Sequence, residues 1–425
     1  MTVSLRIVLS LFALSLLALA LTGVPVYARL SYLWGLLLLG SWGWTGLALR
    51  GVRVARRSRT RRAQVGQIFD ELFEIQNTGR LPRLWLQVRD RSALPGSRGS
   101  RVLTLMRGRQ RQSYSVRTRL VQRGVFPLGP TVLAAGDIFG LFRVSRAAPA
   151  DGSLLVYPMM VDVRGFPSPP GLLPGGEALR RRTHQATPNA AGVREYEPGD
   201  GLNRIHWLST ARRGRLIAKE FELDPLADVW IFLDAARDVQ AALPYSLSSQ
   251  AAAALWSAET HVELPPSTVE YAVCIAASLG RYFLRRRRAV GLVSHPQSSR
   301  SGVRVLPPDR GGRQLAKILQ ALALIRADGN LPLAALLTAQ AQHLPRGSTV
   351  IIVTPSVQRE MALAVDVLLR RGLRPVAVLL DATSFGGAPG TAALADDIMA
   401  LDVPVYQVAN GDDLSATLSL NGKTR

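Results

Sequence analysis

Two long runs without charge open this sequence and constrain its fold more than any other feature. Between Arg6 and Arg29 lie 22 uncharged, mostly apolar residues, and between Arg29 and Arg50 lie 20 more. At about 1.5 Å per residue, either run is long enough as a helix to cross the ~30 Å hydrocarbon core of a bilayer. Residues 1–50 therefore read as two membrane helices, turned as a hairpin at Pro25 beside Arg29. A cleaved signal peptide is the rival reading for the first run, although no clean cleavage site follows it. Arg50, Arg53, Arg56, Arg57, Arg59, Arg61 and Arg62 come directly after the second run. The positive-inside tendency places this basic juxtamembrane segment, 51–63, and everything after it on the cytoplasmic side of the inner (plasma) membrane, with the chain multi-pass.

The chain has 52 Lys and Arg against 30 Asp and Glu, a net charge of +22. That excess would suit nucleic acid or anionic lipid. Because the densest cluster abuts a span, attraction to acidic headgroups explains it with fewer assumptions, and no nucleic-acid partner is expected. The single cysteine, Cys274, sits in an apolar helical pattern and reads as a small core residue.

From 64 to 165 the pattern changes to short apolar-polar alternations, such as Phe69 to Ile75, Leu84 to Val88, Val102 to Leu105 and Tyr114 to Val121, broken by Asn, Gly, Pro and Ser. This predicts an all-β, antiparallel sandwich. Residues 166–191 are rich in Pro, Gly and Arg, show no period, and read as a linker. From 223 to 425, apolar runs alternate with helical patterns. Asp228 to Asp234, Ala289 to Val293, Val350 to Val353, Val376 to Leu380 and Val403 to Val408 read as buried strands. Helical spacing recurs from Val269 to Phe283 and at Leu315 to Ile325, Leu331 to Gln342, Ala362 to Leu369 and Ala392 to Leu401. Such alternation predicts a doubly wound α/β domain with a mainly parallel sheet. Residues 241–266, longer than an ordinary strand-to-helix connection, read as an insertion.

Between the linker and that domain, residues 192–222 bring together charges of both signs, turn residues and one tryptophan. Pro198 and Gly199 suit the central positions of a type II turn, and Asp200 is placed to cap a short helix carrying Arg204 and Trp207. Extended segments flank this turn and helix on either side. Arg194-Glu195-Tyr196-Glu197-Pro198-Gly199-Asp200, then Arg204-Ile205-His206-Trp207, then Ala211-Arg212-Arg213-Gly214-Arg215-Leu216, resembles the signature of the domain-of-unknown-function family 58. One position departs, since the family usually has an acid where His206 stands. The α/β part in turn looks like a von Willebrand factor A domain. Resemblance implies a membrane-anchored scaffold or adaptor, with a MoxR-type AAA+ ATPase as protein partner and a transglutaminase-like membrane protein encoded nearby. The expected interaction residues are Arg194, Glu195, Tyr196, Pro198, Gly199, Asp200, Arg204, Trp207, Ala211, Arg212 and Gly214.

A hard divalent cation needs several converging oxygens, which metal-binding von Willebrand A domains supply from Asp-x-Ser-x-Ser after the first strand. Here the corresponding residues are Asp234, Ala236 and Asp238, with Thr354-Pro355-Ser356 at the later strand end. Alanine offers no ligand, so the site reads as degenerate: Asp234, Asp238 and Thr354 are the candidates, Mg2+ or Ca2+ the ions such a site would take, and no cofactor is expected. The five histidines show no zinc spacing, and Gly311-Gly312 lacks the ending of a phosphate-binding loop. The alternative to a scaffold is a hydrolase or transferase in which His206, with Glu197 or Asp200, acts as general base on a hydroxyl such as Ser209 or Thr210.

Overall fold

A computed structural model of the chain describes residues 2–150, 152–166, 190–196, 205–221, 228–246, 263–295 and 303–419. Two compact units emerge, one of Met1–Met160 with Pro244–Pro265 and Leu319–Ile325, the other of Val161–Leu243, Pro266–Ile318 and Arg326–Arg425.

The first unit begins with helices α1 (Val3–Thr22) and α2 (Pro25–Ala48). Gly23 adopts a left-handed φ of 66° and returns its N–H to the Leu19 carbonyl, closing α1; Pro25, which has no N–H to lose, starts α2. α1 is long and apolar enough to cross a membrane. Leucines along both helices, including Leu14, Leu17, Leu36 and Leu39, face outward, while Ser31 Oγ donates to Ser15 Oγ between them at 3.1 Å.

Ten strands follow: β1 (Val52–Ser58), β2 (Arg62–Gln64), β3 (Ile68–Asn77), β4 (Arg83–Asp90), β5 (Arg101–Met106), β6 (Arg111–Arg119), β7 (Gly124–Pro127), β8 (Thr131–Gly136), β9 (Arg143–Ala148) and β10 (Ser153–Tyr157). They form three sheets, ordered β1-β3-β6, β5-β4-β8-β9 and β2-β10-β7, antiparallel throughout except where β10 meets β2. Period-two alternation turns Phe69, Glu71, Phe73 and Ile75 of β3 inward. Ala48, Leu49 and Val52 join Phe73, Ile75, Leu86 and Leu133 in one core cluster, so the end of α2 is built into this unit. The basic segment after the second run is thus partly strand. Arg56 of β1 faces inward with Val52 and Val54, and its guanidinium grips Glu71 at 2.6 Å and Asp90 at 2.9 Å.

The second unit contains β11 (Ala190–Glu195), α3 (Trp207–Arg213), β12 (Ile217–Phe221), β13 (Val229–Leu233), α4 (Thr268–Arg285), β14 (Val290–Ser294) and β15 (Arg304–Asp309). After α5 (Gly312–Leu324), part of which groups with the first unit, come α6 (Leu333–Gln340), β16 (Thr349–Thr354), α7 (Glu360–Arg370), β17 (Arg374–Leu380), α8 (Thr391–Met399), β18 (Val405–Val408) and α9 (Leu414–Ser419). The main sheet runs β15-β14-β13-β16-β17-β18 and is parallel except for β15. This is a mixed α/β arrangement. β15 pairs antiparallel at the edge, where Pro307 and Pro308 are tolerated because a proline there removes no ladder bond that the sheet needs; the prolines hid it from sequence reading. Trp230 and Phe232 point to the face covered by α6, α7 and α8. Ile231, one residue out of phase, points to α4, where it lies against Gly280.

Phe166, assigned from sequence to the linker, belongs to this unit's core. Its ring stacks on Tyr406 at 4.9 Å and meets Tyr282 and Phe283 edge-on. The run Arg180 to Arg182 and most of the 241–266 insertion lie outside the described residues.

Candidate functional site

The order of the main sheet reverses between β13 and β16: the chain leaves β13 toward β14 and β15, then returns to β16 and continues the other way. Crevices in open α/β sheets form at such reversals, outside the carboxyl ends of the strands. Asp234 follows β13 and Thr354 ends β16, so the topology alone sets these two side by side. Thr354 Oγ1 donates to Asp234 Oδ2 at 2.6 Å and accepts the Ser356 N–H at 2.9 Å. Asp234 Oδ1 accepts the Ala236 N–H at 3.0 Å. A small cleft opens here, lined by Asp234, Ala236, Asp238, Ser356, Gln358 and Met361 among others. Burial pushes the Asp234 carboxyl up to about 6, against the opposing hydrogen bonds from Thr354 and the Ala236 N–H.

These residues fit a divalent cation poorly. Both Asp234 oxygens accept protein hydrogen bonds, Ala236 presents a methyl group, and Asp238 is exposed. Among the described residues, no three His, Cys, Asp or Glu side chains come together as a metal-binding group. Sequence reading identified Asp234 and Thr354 but missed Gly329, whose N–H bonds the Ala235 carbonyl at 2.8 Å and whose carbonyl receives Arg237 N–H at 2.8 Å. A Cβ at this glycine would stand 2.3 Å from the His295 carbonyl oxygen, so backbone closes one wall of the loop after β13. Asp328-Gly329 is a turn signal in the sequence, but the strand it presses against is distant along the chain.

The signature segment forms a two-stranded antiparallel ribbon of β11 and β12 with α3 between its strands. Its expected fold, a compact excursion between extended segments, is what the described part contains. The helix begins at Trp207, however, and its N-cap is His206 rather than Asp200. His206 Nδ1 accepts the Ser209 N–H at 3.2 Å and lies 2.7 Å from Ser209 Oγ, which does the work expected of an aspartate. Gly214 ends the helix at φ 65° with its N–H on the Thr210 carbonyl. Thr210 Oγ1 is occupied as acceptor for the Ile217 N–H at 3.0 Å.

Ile205 and Ile217, on either side of α3, are buried, whereas Trp207 is 67% exposed and Leu208 62%. Glu195 pairs with Arg215, and the Tyr196 N–H reaches the Leu216 carbonyl at 3.0 Å. Ala211 and Arg212 are exposed on α3. Glu197, Pro198, Gly199, Asp200 and Arg204 lie outside the described residues, and of Arg194 only the backbone is described. The structure therefore brings His206 to Ser209, and Asp234 to Thr354.

Residues 192–379 match the family model described as "Protein of unknown function DUF58". A stretch of 118 residues is 29% identical to "Uncharacterized protein YeaD" of Bacillus subtilis (strain 168), covering 27% of this chain and 29% of that protein. The chain thus spans under a third of that relative's length. Among solved structures, the CARDB domain of the PF1109 protein from Pyrococcus furiosus, in complex with di-metal ions, is similar at a TM-score of 0.18 and 10% identity, over 25% of this chain and 91% of that one. Proximal thread matrix protein 1 from the mussel byssus is similar at a TM-score of 0.30 and 12% identity, over 45% of this chain and 46% of that one. Neither similarity is large enough to carry an argument about fold or function.

Proposed function

We propose, from the match of residues 192–379 to the DUF58 family model and from the surface that its signature presents, that this chain is a membrane-anchored scaffold or adaptor that engages another protein. The observation that carries this reading is the exposed Trp207-Leu208 pair at the start of α3. A tryptophan held outward on a capped helix is an anchor for a partner's pocket, the type of residue that dominates interface energies. Ile205, Ile217 and Ala218 on either side of α3 are buried, and the helix is tied to β12 through the His206 N–H on the Ile217 carbonyl and the Ile217 N–H on Thr210 Oγ1.

The rest of the reading is assembled around that contact. α1 and α2 act as a two-helix anchor in the inner membrane, in keeping with their outward leucines, and the arginines that follow favour a cytoplasmic position for the remainder. The antiparallel sheets of the first unit serve as a β-sandwich domain, and the α/β sheet as a von Willebrand factor A-like platform whose cation site has been replaced by the Asp234–Thr354 hydrogen bond. A MoxR-type AAA+ ATPase is the partner expected of the family, with a transglutaminase-like membrane protein as a second associate. Purification of the full chain from native membranes in mild detergent, followed by mass spectrometry, tests this. The ATPase is expected to accompany the unsubstituted chain and to be lost from Trp207→Ala; failure to recover any such ATPase with the unsubstituted chain would sink the reading.

A second reading, a hydrolase or transferase, draws on the 2.7 Å contact between His206 Nδ1 and Ser209 Oγ. The same nitrogen accepts the Ser209 N–H, which favours a capping role. His206→Ala separates the two: a scaffold retains its partner with α3 frayed, whereas an enzyme loses turnover.

A further inference from the structure

The loop between β8 and β9 exposes two large apolar residues, Ile138 at 65% and Phe139 at 54%. Its shape is fixed from within. Asp137, itself buried, accepts the N–H groups of Phe139 at 2.9 Å, Leu141 at 3.1 Å and Phe142 at 2.6 Å. Gly140 supplies the positive φ of 69° that the turn requires, and Trp85 Nε1 donates to the Asp137 carbonyl at 3.2 Å. Such a loop pays little ordering cost when its tip is buried, because the conformation is already set.

Its place in the unit is equally defined. Thr2 Oγ1, at the N-cap of α1, donates to the Leu141 carbonyl at 2.8 Å, so the loop lies beside the first turn of α1. The end of α2, which the hairpin brings back to the level of Thr2, is held to the same unit: Arg83 donates to the carbonyls of Leu47 and Arg50 at 2.6 and 2.5 Å. If α1 spans a bilayer, Thr2 lies at one membrane face, and so do Ile138 and Phe139. Arg6, exposed in the first turn of α1, and Arg143, exposed at the start of β9, add cations flanking this level in the sequence.

We infer that the Ile138-Phe139 tip dips into the headgroup–acyl boundary of the membrane that α1 crosses, a second point of attachment that holds the first unit against the bilayer. Interfacial insertion of this kind buries apolar side chains a few ångströms, about 5–10 Å, while leaving the backbone satisfied. Here Asp137 provides that satisfaction. The inference rests on the reading of α1 as a membrane span, and its test reports on both.

Full-length protein carrying Ile138→Cys, Phe139→Cys or, in α1, Leu14→Cys is spin-labelled and reconstituted into vesicles of phosphatidylcholine and phosphatidylglycerol. Cys274 is buried, and the unsubstituted chain provides the labelling blank. Collision with oxygen against a water-soluble nickel chelate measures depth. A deep label at position 14 with shallow, chelate-protected labels at 138 and 139 is the expected result. A deep label at 14 with labels at 138 and 139 fully open to the chelate overturns the insertion and leaves the span intact. Chelate access at all three positions overturns the span and the insertion together.

Discussion

The two units bury acids in opposite ways. In the first, Glu71 and Asp90 face the Arg56 guanidinium, whose side chain is 5% exposed, with Phe73 lying 5.0 Å beneath it. Burial pushes Asp90 up, but hydrogen bonds from Ser97 and Ser92 and the Arg56 charge outweigh it and hold the carboxyl below its usual range. In the second, Asp234 is buried more completely, its described hydrogen bonds come from one hydroxyl and one backbone N–H, and burial wins. Asp90 sets hydrogen bonds from two serines and a partner cation against its burial, and together these reverse the direction. The first arrangement is a staple across β1, β3 and β4, whereas the second is a carboxyl poised to exchange a proton in mildly acidic solution.

The largest expected effect tests the staple. Arg56→Met leaves two buried carboxylates facing an apolar chain and should lower stability by about 3–5 kcal/mol, read from denaturant midpoints in detergent. Adding Glu71→Gln and Asp90→Asn to Arg56→Met should recover much of that loss, because the penalty comes from uncompensated charge. If the triple variant is no more stable than the single one, the comparison fails on this side.

Next comes the pH dependence of Asp234. Its carboxyl ionises near 3.8 in the unfolded chain and at about 6 in the fold, so between those values the folded state holds the extra proton. Stability of the second unit therefore falls as pH rises through that window, and is lower by about 3 kcal/mol above it than below. Asp90 has the opposite sign: its contribution is present above the unfolded value and is lost as pH falls through the folded one. Hydrogen exchange of the β13 amides, corrected for intrinsic rate, should follow the Asp234 window in the unsubstituted chain and lose it in Asp234→Asn. An unchanged profile in that variant would assign the window to another group.

Thr354→Val removes the hydroxyl that donates to Asp234 and should cost about 1–3 kcal/mol at neutral pH, moving the same exchange window upward. Trp207→Ala stands at the bottom of the scale. It removes an exposed ring and should change stability by no more than about 0.5 kcal/mol, while abolishing partner recovery. A large loss of stability in Trp207→Ala would mean that the ring packs against its own chain and is not available to a partner.

Much of this was legible along the chain, for particular reasons. The runs 7–28 and 30–49 announce helices because long stretches free of charge and rich in leucine hold few signals that would end one, and α1 is long and apolar enough to cross a membrane. Val229–Leu233 and Val350 to Val353 announce buried strands because both faces are covered. The Asp234–Thr354 pair was readable as a pair of strand ends, although its use as an internal hydrogen bond was not. The capping role of His206 was not legible, because histidine is not among the usual N-caps and only the Ser209 N–H reveals it.

What local pattern determined is therefore the identity of segments: where the chain must avoid water, where it alternates between two faces, and where it must turn. Tertiary structure alone decided which members of those segments face one another. Arg56 is one of seven arginines in a basic stretch, and its neighbours in sequence do not distinguish it. Strand alternation turns it inward, and pairing with β3 supplies Glu71. Asp234 is likewise one acid at a strand end until the reversal of sheet order places Thr354 beside it, 120 residues away. Propensity and hydrophobic period act over a turn or a few residues, whereas charge neutralisation and desolvation depend on what closes over a group once the chain has folded.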